Sequence, residues 1–426
     1  MNHEEEGRMK KNVILVTMDE VRHDHLSCYG YRRVQTPNID RFAQEGVRFE
    51  TAVSTSCFTP VSHATILTGV YPFNHNLRDP FSGVEWKMVA EIFKENGYAT
   101  AGFVGVNLLG KANRFHVGFD YFDEPSHEEV WKRSNFADDS RGELLWGNWW
   151  IPRMLKWVKD HQEEPFFVWT HYFDTHQAAE DILLEMGKIE KGVMPDYGYY
   201  DAKIKYMDEA YFAPLHQWLR ESHLEERTTI LITSDHGTNL GEHKVPSFPH
   251  LKLVYPQHTT LYDCDILVPM IIKDKDLPKG VVIPGVVRTV DIVPTLIDLA
   301  GIENRYKFDG VSLVPSIKRG KAEGLLAYSE ELYEKRGPGD FQSVRNDQFK
   351  FIIDHRSGLQ EFFDLLSEKG EQHNLIFDCD ERRERLIEEW RRICQQNFER
   401  KEVGFSLRGE DREKVEKRLR ALGYIV

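Results

Sequence analysis

The sequence predicts an α/β fold in which helices flank a doubly wound, mostly parallel sheet, with a small antiparallel sheet near the C-terminus. Three apolar runs, Asn12–Met18, residues 165–172 and residues 228–237, are rich in β-branched and aromatic residues and do not alternate with polar ones. Such runs are typical of parallel strands that are covered on both faces. Helix-like segments separate the runs, and this alternation predicts a doubly wound sheet.

Three segments between the strands have the pattern of helices. Residues 36–45 include Pro37, which suits the first turn of a helix. Residues 84–96 carry apolar residues at helical spacing before Gly97, and residues 200–221 show the same spacing. We therefore expect one helix at each of these three places.

The pattern of polar and apolar residues changes after about residue 310. Short segments that alternate polar and apolar residues follow, and from Glu381 onward the chain is strongly charged. This change predicts a small antiparallel sheet with helices appended to the main domain. We divide the chain into a catalytic α/β domain, residues 1–310, and a C-terminal α+β subdomain with a charged helical tail, residues 311–426.

The composition is that of an ordinary globular protein, with 426 residues, 41% hydrophobic and 29% charged. A formal net charge of −14 disfavours nucleic acid and anionic membrane surfaces as partners, and we expect neither. The first apolar run is too short and wrongly flanked for a signal peptide or a spanning helix. The five cysteines form no C-x-x-C pair. We expect a cytoplasmic protein, and a homo-oligomer is compatible with the sequence.

Acidic residues and histidines follow the three predicted strands. Asp19 and Glu20 come directly after the first, His176 follows the second, and Asp235 and His236 end the third. In open α/β sheets, sites form at the carboxyl ends of strands. Carboxylates and an imidazole brought together there would hold a divalent metal ion, while solvated turn residues are the alternative interpretation.

Thr59 begins the helix-like run T-P-V-S-H-A-T-I-L-T, which Gly69 closes. A hydroxyl at a helix start lies near unpaired backbone N–H groups that favour an anion. Thr59 is therefore a candidate nucleophile, and a simple N-cap is the alternative interpretation. His176 and His258 are candidate proton donors or anion contacts because imidazole titrates near neutral pH, although a lone histidine is more often structural.

Taken in order, these segments resemble the sulfatase branch of the alkaline-phosphatase superfamily over nearly the whole chain. The order of the segments makes the resemblance specific, since none of them is distinctive alone. The matching segments include D-E-V-R-H-D-H-L-S-C-Y-G, T-P-N-I-D-R-F-A-Q-E-G-V-R-F, L-T-G-V-Y-P, S-D-H-G-T-N-L-G-E-H, L-Y-D-C-D-I-L-V-P-M and T-V-D-I-V-P-T-L-I-D-L-A-G.

The resemblance implies a role for each candidate residue. Thr59 takes the nucleophile position and would also contact the metal. His176 matches the family's substrate-side histidine, and His258 matches a position, usually Lys or His, that contacts the anion. The positions that match the family's metal ligands are Asp19, Glu20, Asp235 and His236.

The sequence departs from true sulfatases at the nucleophile. Those enzymes carry C-x-P-x-R or S-x-P-x-R, whose first residue becomes formylglycine. Here Thr59 stands in its place, His63 replaces the Arg, and Cys57 lies two positions too early. A Thr nucleophile is similar to that of the phosphodiesterase and phosphonate monoester hydrolase relatives. The family's G-K-W-H segment is replaced by G-V-N-L, in which Asn107 is left to contact an oxyanion.

These residues lead to an expected function. The chain would hydrolyse phosphate or phosphonate esters through a covalent Thr59 intermediate, with a small anionic ester as substrate. An Asp-His metal pair, in place of the sulfatases' usual Asp-Asn, favours Mn²⁺ or Zn²⁺ over Ca²⁺ because imidazole is a poor Ca²⁺ ligand.

Three alternatives stay open at this point. The first is a sulfuric ester hydrolase that uses an unmodified Thr59. The second is a two-metal phosphodiesterase in which Asp174, His176 and His258 bind a second ion. The third is a binding protein that kept the fold and lost turnover.

Overall fold

A computed structural model of the chain describes residues 10–124, 146–176, 198–243, 259–333, 340–378, 381–395 and 412–413. Most of them form a large α/β body, which a small antiparallel sheet follows. No helix among the described residues is both long enough and apolar enough to cross a bilayer.

Nine strands form the main sheet: β1 (Asn12–Met18), β2 (Val47–Val53), β3 (Ala99–Val104), β4 (Tyr121–Asp123), β5 (Phe166–Tyr172), β6 (Thr228–Ser234), β7 (Leu267–Val268), β8 (Met270–Lys273) and β9 (Val281–Arg288). Their order is β4-β3-β5-β1-β6-β8-β2-β7, and β9 lies beside β2. The strands from β4 to β6 in this order pair in parallel, whereas β8 is antiparallel to both of its neighbours. The predicted mostly parallel sheet is confirmed.

The central strands β5, β1 and β6 are aligned at their carboxyl ends. Every residue of all three is buried, as their continuous apolar runs predicted. Met18, the last residue of β1, pairs with Tyr172 of β5 and with Ser234 of β6. Residues that follow the three strands therefore emerge side by side at one edge of the sheet.

Helices lie between the strands, as the alternating pattern predicted. They are α1 (Pro37–Gln44), α2 (Thr59–Thr68), α3 (Pro72–His75), α4 (Val89–Glu95), α5 (Trp146–Asp160), α6 (Gly198–Met207), α7 (Ala213–Glu221), α8 (Asp263–Ile266), α9 (Ile292–Leu299), α10 (Val314–Arg319) and α11 (Glu381–Gln395).

The helix expected over residues 84–96 is shorter than its apolar spacing suggested, because it begins at Val89. The carboxylate of Glu91 accepts a hydrogen bond from the backbone N–H of Met88 at 2.9 Å. This bond makes Met88 the N-cap, so the preceding residues stay outside the helix.

The helix expected over residues 200–221 contains a π-helical stretch, Asp208–Phe212, between α6 and α7. Asp208 on this stretch accepts hydrogen bonds from the backbone N–H groups of Ile39, at 2.8 Å, and Asn38, at 3.2 Å. Its side chain thus caps the first turn of α1, where backbone donors have no partner within the helix. Burial raises the pKa of the Asp208 carboxyl to about 6.

The second sheet has four antiparallel strands, β10 (Ala327–Glu331), β11 (Phe341–Arg345), β12 (Phe349–Asp354) and β13 (Gln360–Asp364), in this order. α11 packs against β11 and β12. The predicted C-terminal antiparallel sheet is confirmed. The division at residues 310 and 311 stays a proposal, and α10 just beyond it packs against α9 of the main body.

Ion pairs join the two sheets. Lys350 on β12 is fully buried, and its Nζ lies 2.8 Å from Asp263 and 2.7 Å from Glu371. Arg345 on β11 contacts the same Asp263 carboxylate at 2.8 Å. Because Asp263 begins α8, next to β7, these contacts connect the antiparallel sheet to the main body.

We expect Asp208→Ala to lower the free energy of unfolding by about 2 kcal/mol, because two backbone donors of α1 lose their acceptor. Asp208→Asn keeps an acceptor oxygen and should cost less than half as much. Urea unfolding of both variants tests this, with Glu209→Ala as the control at the neighbouring exposed position. Equal losses for the alanine and asparagine variants would contradict the capping role.

Candidate active site

Backbone hydrogen bonds set the positions of two acidic residues beyond the aligned strands. The N–H of Asp19 donates to the carbonyl of Tyr172 at 2.9 Å, and the N–H of Asp235 donates to the carbonyl of Met18 at 3.1 Å. The sheet ladder thus continues one residue past the strands. Both side chains are fully buried, so their carboxylates lie close together inside the protein.

Asp19, Asp235 and His236 form one compact group. Each offers a ligand atom, and the three atoms lie within 4.8 Å of one another. Nε2 of His236 is 3.4 Å from Oδ2 of Asp235. Burial raises the pKa of the Asp235 carboxyl to about 8, because a dry site disfavours its charge. Two buried carboxylates and an imidazole are a donor set that fits a divalent transition metal.

Glu20, also a predicted ligand, does not belong to this three-residue group. Its Oε1 lies 3.3 Å from Nε2 of His176, and these two residues form a second buried group with Asp19. The backbone of Glu20 is left-handed, with φ of 58°, which costs a non-glycine residue about 1 kcal/mol. Hydrogen bonds hold it there: its N–H donates to Asp235 at 3.2 Å, and its carbonyl accepts from Tyr200 at 2.6 Å.

Thr59 is the first residue of α2, and Phe58 occupies the N-cap position. The structure therefore does not favour the N-cap interpretation of Thr59. Its Oγ1 is buried and lies 3.2 Å from Nε2 of His236, next to the three-residue group. Ser62, one turn along α2, donates to the carbonyl of Asp235 at 2.7 Å and ties the helix to the strand end.

The other predicted site residues differ in how they are placed. His176 stacks on Phe173, with ring centroids 4.6 Å apart, and is buried beside Glu20. Asn107 begins a buried 3₁₀ turn, Asn107–Leu109, that packs against α2. His258 lies outside the described residues.

The second-metal alternative stays a prediction, because His258, one of its three ligands, lies outside the described residues. Asp174 is buried and accepts a hydrogen bond from the hydroxyl of Tyr211. His176 belongs to a group of possible ligands with Asp19 and Glu20.

Three further polar residues lie behind the site: Thr17 and His171, which sequence reasoning missed, and His63, which it noted only as the replacement of the family's Arg. All three are fully buried. His171 lies 3.3 Å from Asp19, and His63 lies 3.7 Å from Asp235. Burial lowers the pKa of His63 to about 3 and the pKa of His171 well below its usual value. A signal was present, because Thr17 and His171 interrupt two otherwise mostly apolar strands and pair across them.

Comparison with known proteins identifies the family. The Sulfatase family profile matches residues 11–302, and the profile described as N-sulphoglucosamine sulphohydrolase, C-terminal, matches residues 255–396. The chain is 27% identical to an ulvan-active sulfatase of Formosa agariphila, over 86% of this chain and 77% of that one. It is 24% identical to a multifunctional alkaline phosphatase superfamily protein of Trinickia caryophylli, over 80% and 82% of the two chains.

Solved structures show the same fold. The phosphonate monoester hydrolase of Agrobacterium radiobacter superposes with a TM-score of 0.72 at 20% identity, covering 91% of this chain and 95% of that one. A putative sulfatase from Bacteroides thetaiotaomicron also gives 0.72, at 18% identity, with 95% and 96% covered. The chain is an ester hydrolase that belongs to the sulfatase family of the alkaline-phosphatase superfamily.

Proposed function

We propose that this chain is a metal-dependent hydrolase that cleaves phosphate or phosphonate esters through a covalent intermediate on Thr59. The observation that carries the proposal is the place of the Thr59 hydroxyl, 3.2 Å from His236 in a group with Asp19 and Asp235. A hydroxyl becomes a nucleophile when an adjacent group or a metal lowers its pKa, and this arrangement supplies such a neighbour.

The absence of a formylglycine precursor supports direct attack by threonine. Cys57, the nearest cysteine in sequence, is fully buried, and its Sγ lies 3.5 Å from the carboxylate of Glu331 on β10. Its thiol is therefore directed at the antiparallel sheet. Thr59 forms a stable phosphate ester, and such an ester is a chemically competent intermediate.

The metal would be held by Asp19, Asp235 and His236, with Glu20 as a further candidate ligand from its place beside Asp19. Two carboxylates with one imidazole favour Mn²⁺ or Zn²⁺ over Ca²⁺. A bound divalent ion would lower the pKa of the Thr59 hydroxyl and offset negative charge on the phosphoryl oxygens.

The reaction proceeds in two displacements. Thr59 gives up its hydroxyl proton to solvent, and its Oγ1 forms a bond to phosphorus as the bond from phosphorus to the ester oxygen breaks. The leaving alcohol takes up a proton. His176, whose ring lies beside Glu20, donates this proton or holds the substrate. Asn107 and His258 would contact the oxyanion. Water then attacks phosphorus and loses a proton, the bond from phosphorus to Oγ1 of Thr59 breaks, and Oγ1 takes up a proton, which restores the hydroxyl.

Sulfate esters are the second candidate substrates, because several relatives are named sulfatases, among them the ulvan-active enzyme and an arylsulfatase of Clostridium perfringens.

Metal-stripped protein, refilled with Mn²⁺, Zn²⁺ or Ca²⁺, should be assayed with p-nitrophenyl sulfate, phosphate, a phosphate diester and a phosphonate monoester. We expect a phosphorus ester to be cleaved best, with Mn²⁺ or Zn²⁺. Preferential sulfate cleavage would replace this proposal by the second, and no turnover with any ester would favour a binding protein.

Thr59→Ala should lower kcat at least about 1,000-fold, because the nucleophile is removed while Asp19, Asp235 and His236 stay. Acid-quenched wild-type protein should carry a phosphoryl group on Thr59, detectable by mass spectrometry. The matched control is Thr68→Ala on the same helix, whose hydroxyl donates to the carbonyl of Ala64 at 2.6 Å and accepts from the backbone N–H of Val70 at 3.4 Å. A fully active Thr59→Ala protein would exclude the covalent mechanism.

Asp235→Asn should abolish tight binding of Mn²⁺ or Zn²⁺ and, in EDTA, leave the metal-free protein as stable as wild type or more stable. The folded-state pKa of Asp235 is raised to about 8 by burial, so the metal-free wild type loses stability as pH rises from about 4 to 8. The asparagine removes this loss. Melting temperatures at pH 5 and pH 8, with and without metal, test both statements. Asp160→Asn, on the surface, is the control. A metal-free variant that melts well below wild type at pH 8 would contradict the expectation.

A further inference from the structure

The hydroxyl of Thr17 is surrounded by three ring nitrogens in the dry interior behind the site. Nε2 of His63 lies 3.0 Å from Oγ1 of Thr17, and Nδ1 of His171 lies 3.1 Å from it. The indole Nε1 of Trp169 donates to the same oxygen at 3.1 Å. All four side chains are fully buried, so each of these contacts forms away from water.

The far side of each imidazole contacts a different part of the active site. Nδ1 of His63 lies 2.8 Å from the carbonyl oxygen of Thr59 and 3.7 Å from Oδ2 of Asp235. Nε2 of His171 lies 3.3 Å from Oδ2 of Asp19. One hydroxyl is therefore linked, through two rings, to the nucleophile residue and to two candidate metal ligands.

The strand geometry explains why Thr17 occupies this point. Thr17 and Asp19 are two residues apart, so they face the same side of the sheet, with Thr17 one step deeper. Thr17 also pairs with His171 across β1 and β5. The two histidine rings meet edge to face, with centroids 4.4 Å apart, which leaves little room for either ring to rotate.

The hydroxyl limits how protons are shared in this cluster. The indole N–H of Trp169 only donates, and the carbonyl of Thr170, 3.3 Å from Oγ1 of Thr17, only accepts. Thr17 has one proton and two lone pairs to share among these groups and the two imidazoles. Each neutral imidazole carries one N–H. A ring that donates to Thr17 therefore presents an unprotonated nitrogen to Thr59 or Asp19, and a ring that accepts from Thr17 presents an N–H. Without the hydroxyl, three buried nitrogens face one another with no common partner.

We propose that Thr17 is a positioning residue that holds Asp19, Asp235 and Thr59 in the relative arrangement that binds the metal ion. The proposal rests on the metal site of the proposed function, which it deepens. Groups that orient metal ligands from behind typically change metal affinity roughly 10- to 100-fold when they are removed. His171 transmits the effect to Asp19, and His63 transmits it to Thr59 and Asp235.

The test compares Thr17→Val, which removes the hydroxyl at nearly constant shape, with Thr17→Ser, which keeps it. The control is Thr170→Val on the neighbouring strand, because the buried Thr170 hydroxyl has no hydrogen-bond partner within the described residues. The dissociation constants of Mn²⁺ and Zn²⁺ are measured by titration calorimetry on metal-stripped full-length protein. Melting temperatures in EDTA report the stability of each metal-free variant.

We expect Thr17→Val to weaken metal binding roughly 10- to 100-fold, with Thr17→Ser and Thr170→Val within about threefold of wild type. A lower melting temperature with unchanged metal affinity would show a purely structural role and overturn the proposal. If Thr17→Val does not fold, His171→Asn replaces it in the test, because this variant keeps a nitrogen toward Thr17 and loses the contact to Asp19. His171→Asn should weaken metal binding to a similar extent. Wild-type metal affinity of His171→Asn would equally overturn the proposal. If wild-type protein binds neither ion, the proposed function fails first and this inference fails with it.

Discussion

The parallel register of β5, β1 and β6 is the constraint on which the rest of the site depends. Because Met18 pairs with both Tyr172 and Ser234, the residues after the three strands meet at one level. Asp19 and Asp235 then continue the ladder with their own N–H groups. A shift of one residue would turn Asp19 and Thr17 to the opposite face, and the site would lose both together.

Forming this arrangement costs free energy, because it buries three acidic side chains and strains one backbone position. Asp19, Glu20 and Asp235 are buried beside one another, and burial disfavours the charge of each. Glu20 also holds a left-handed backbone, with φ of 58°. The local hydrogen bonds hold these groups in place but do not remove the cost of burying their charge. A bound cation would offset the charge of these buried carboxylates. Their burial therefore favours a metal site more strongly than the residue types alone do.

The sequence predicted the central strands and the group of Asp19, Asp235 and His236 because both follow from local rules. A continuous apolar run predicts a buried strand, and parallel strands deliver their following residues to one edge. The direction of the Glu20 side chain could not be predicted, because it depends on a backbone angle set by Tyr200 and Asp235. The start of α4 was predicted too early, because apolar residues at helical spacing begin before Met88, where Glu91 caps the helix.

The edge strand of the antiparallel sheet supports the segment before Thr59, the proposed nucleophile. The N–H of Glu330 donates to the carbonyl of Thr55 at 2.9 Å, and the hydroxyl of Ser329 donates to the carbonyl of Ser54 at 2.6 Å. Residues before Thr59 are thereby held by β10, while Ser62 holds the residues after it to Asp235. Thr59 is therefore fixed from both directions along the chain, and as the proposed nucleophile it would lose little freedom on reacting.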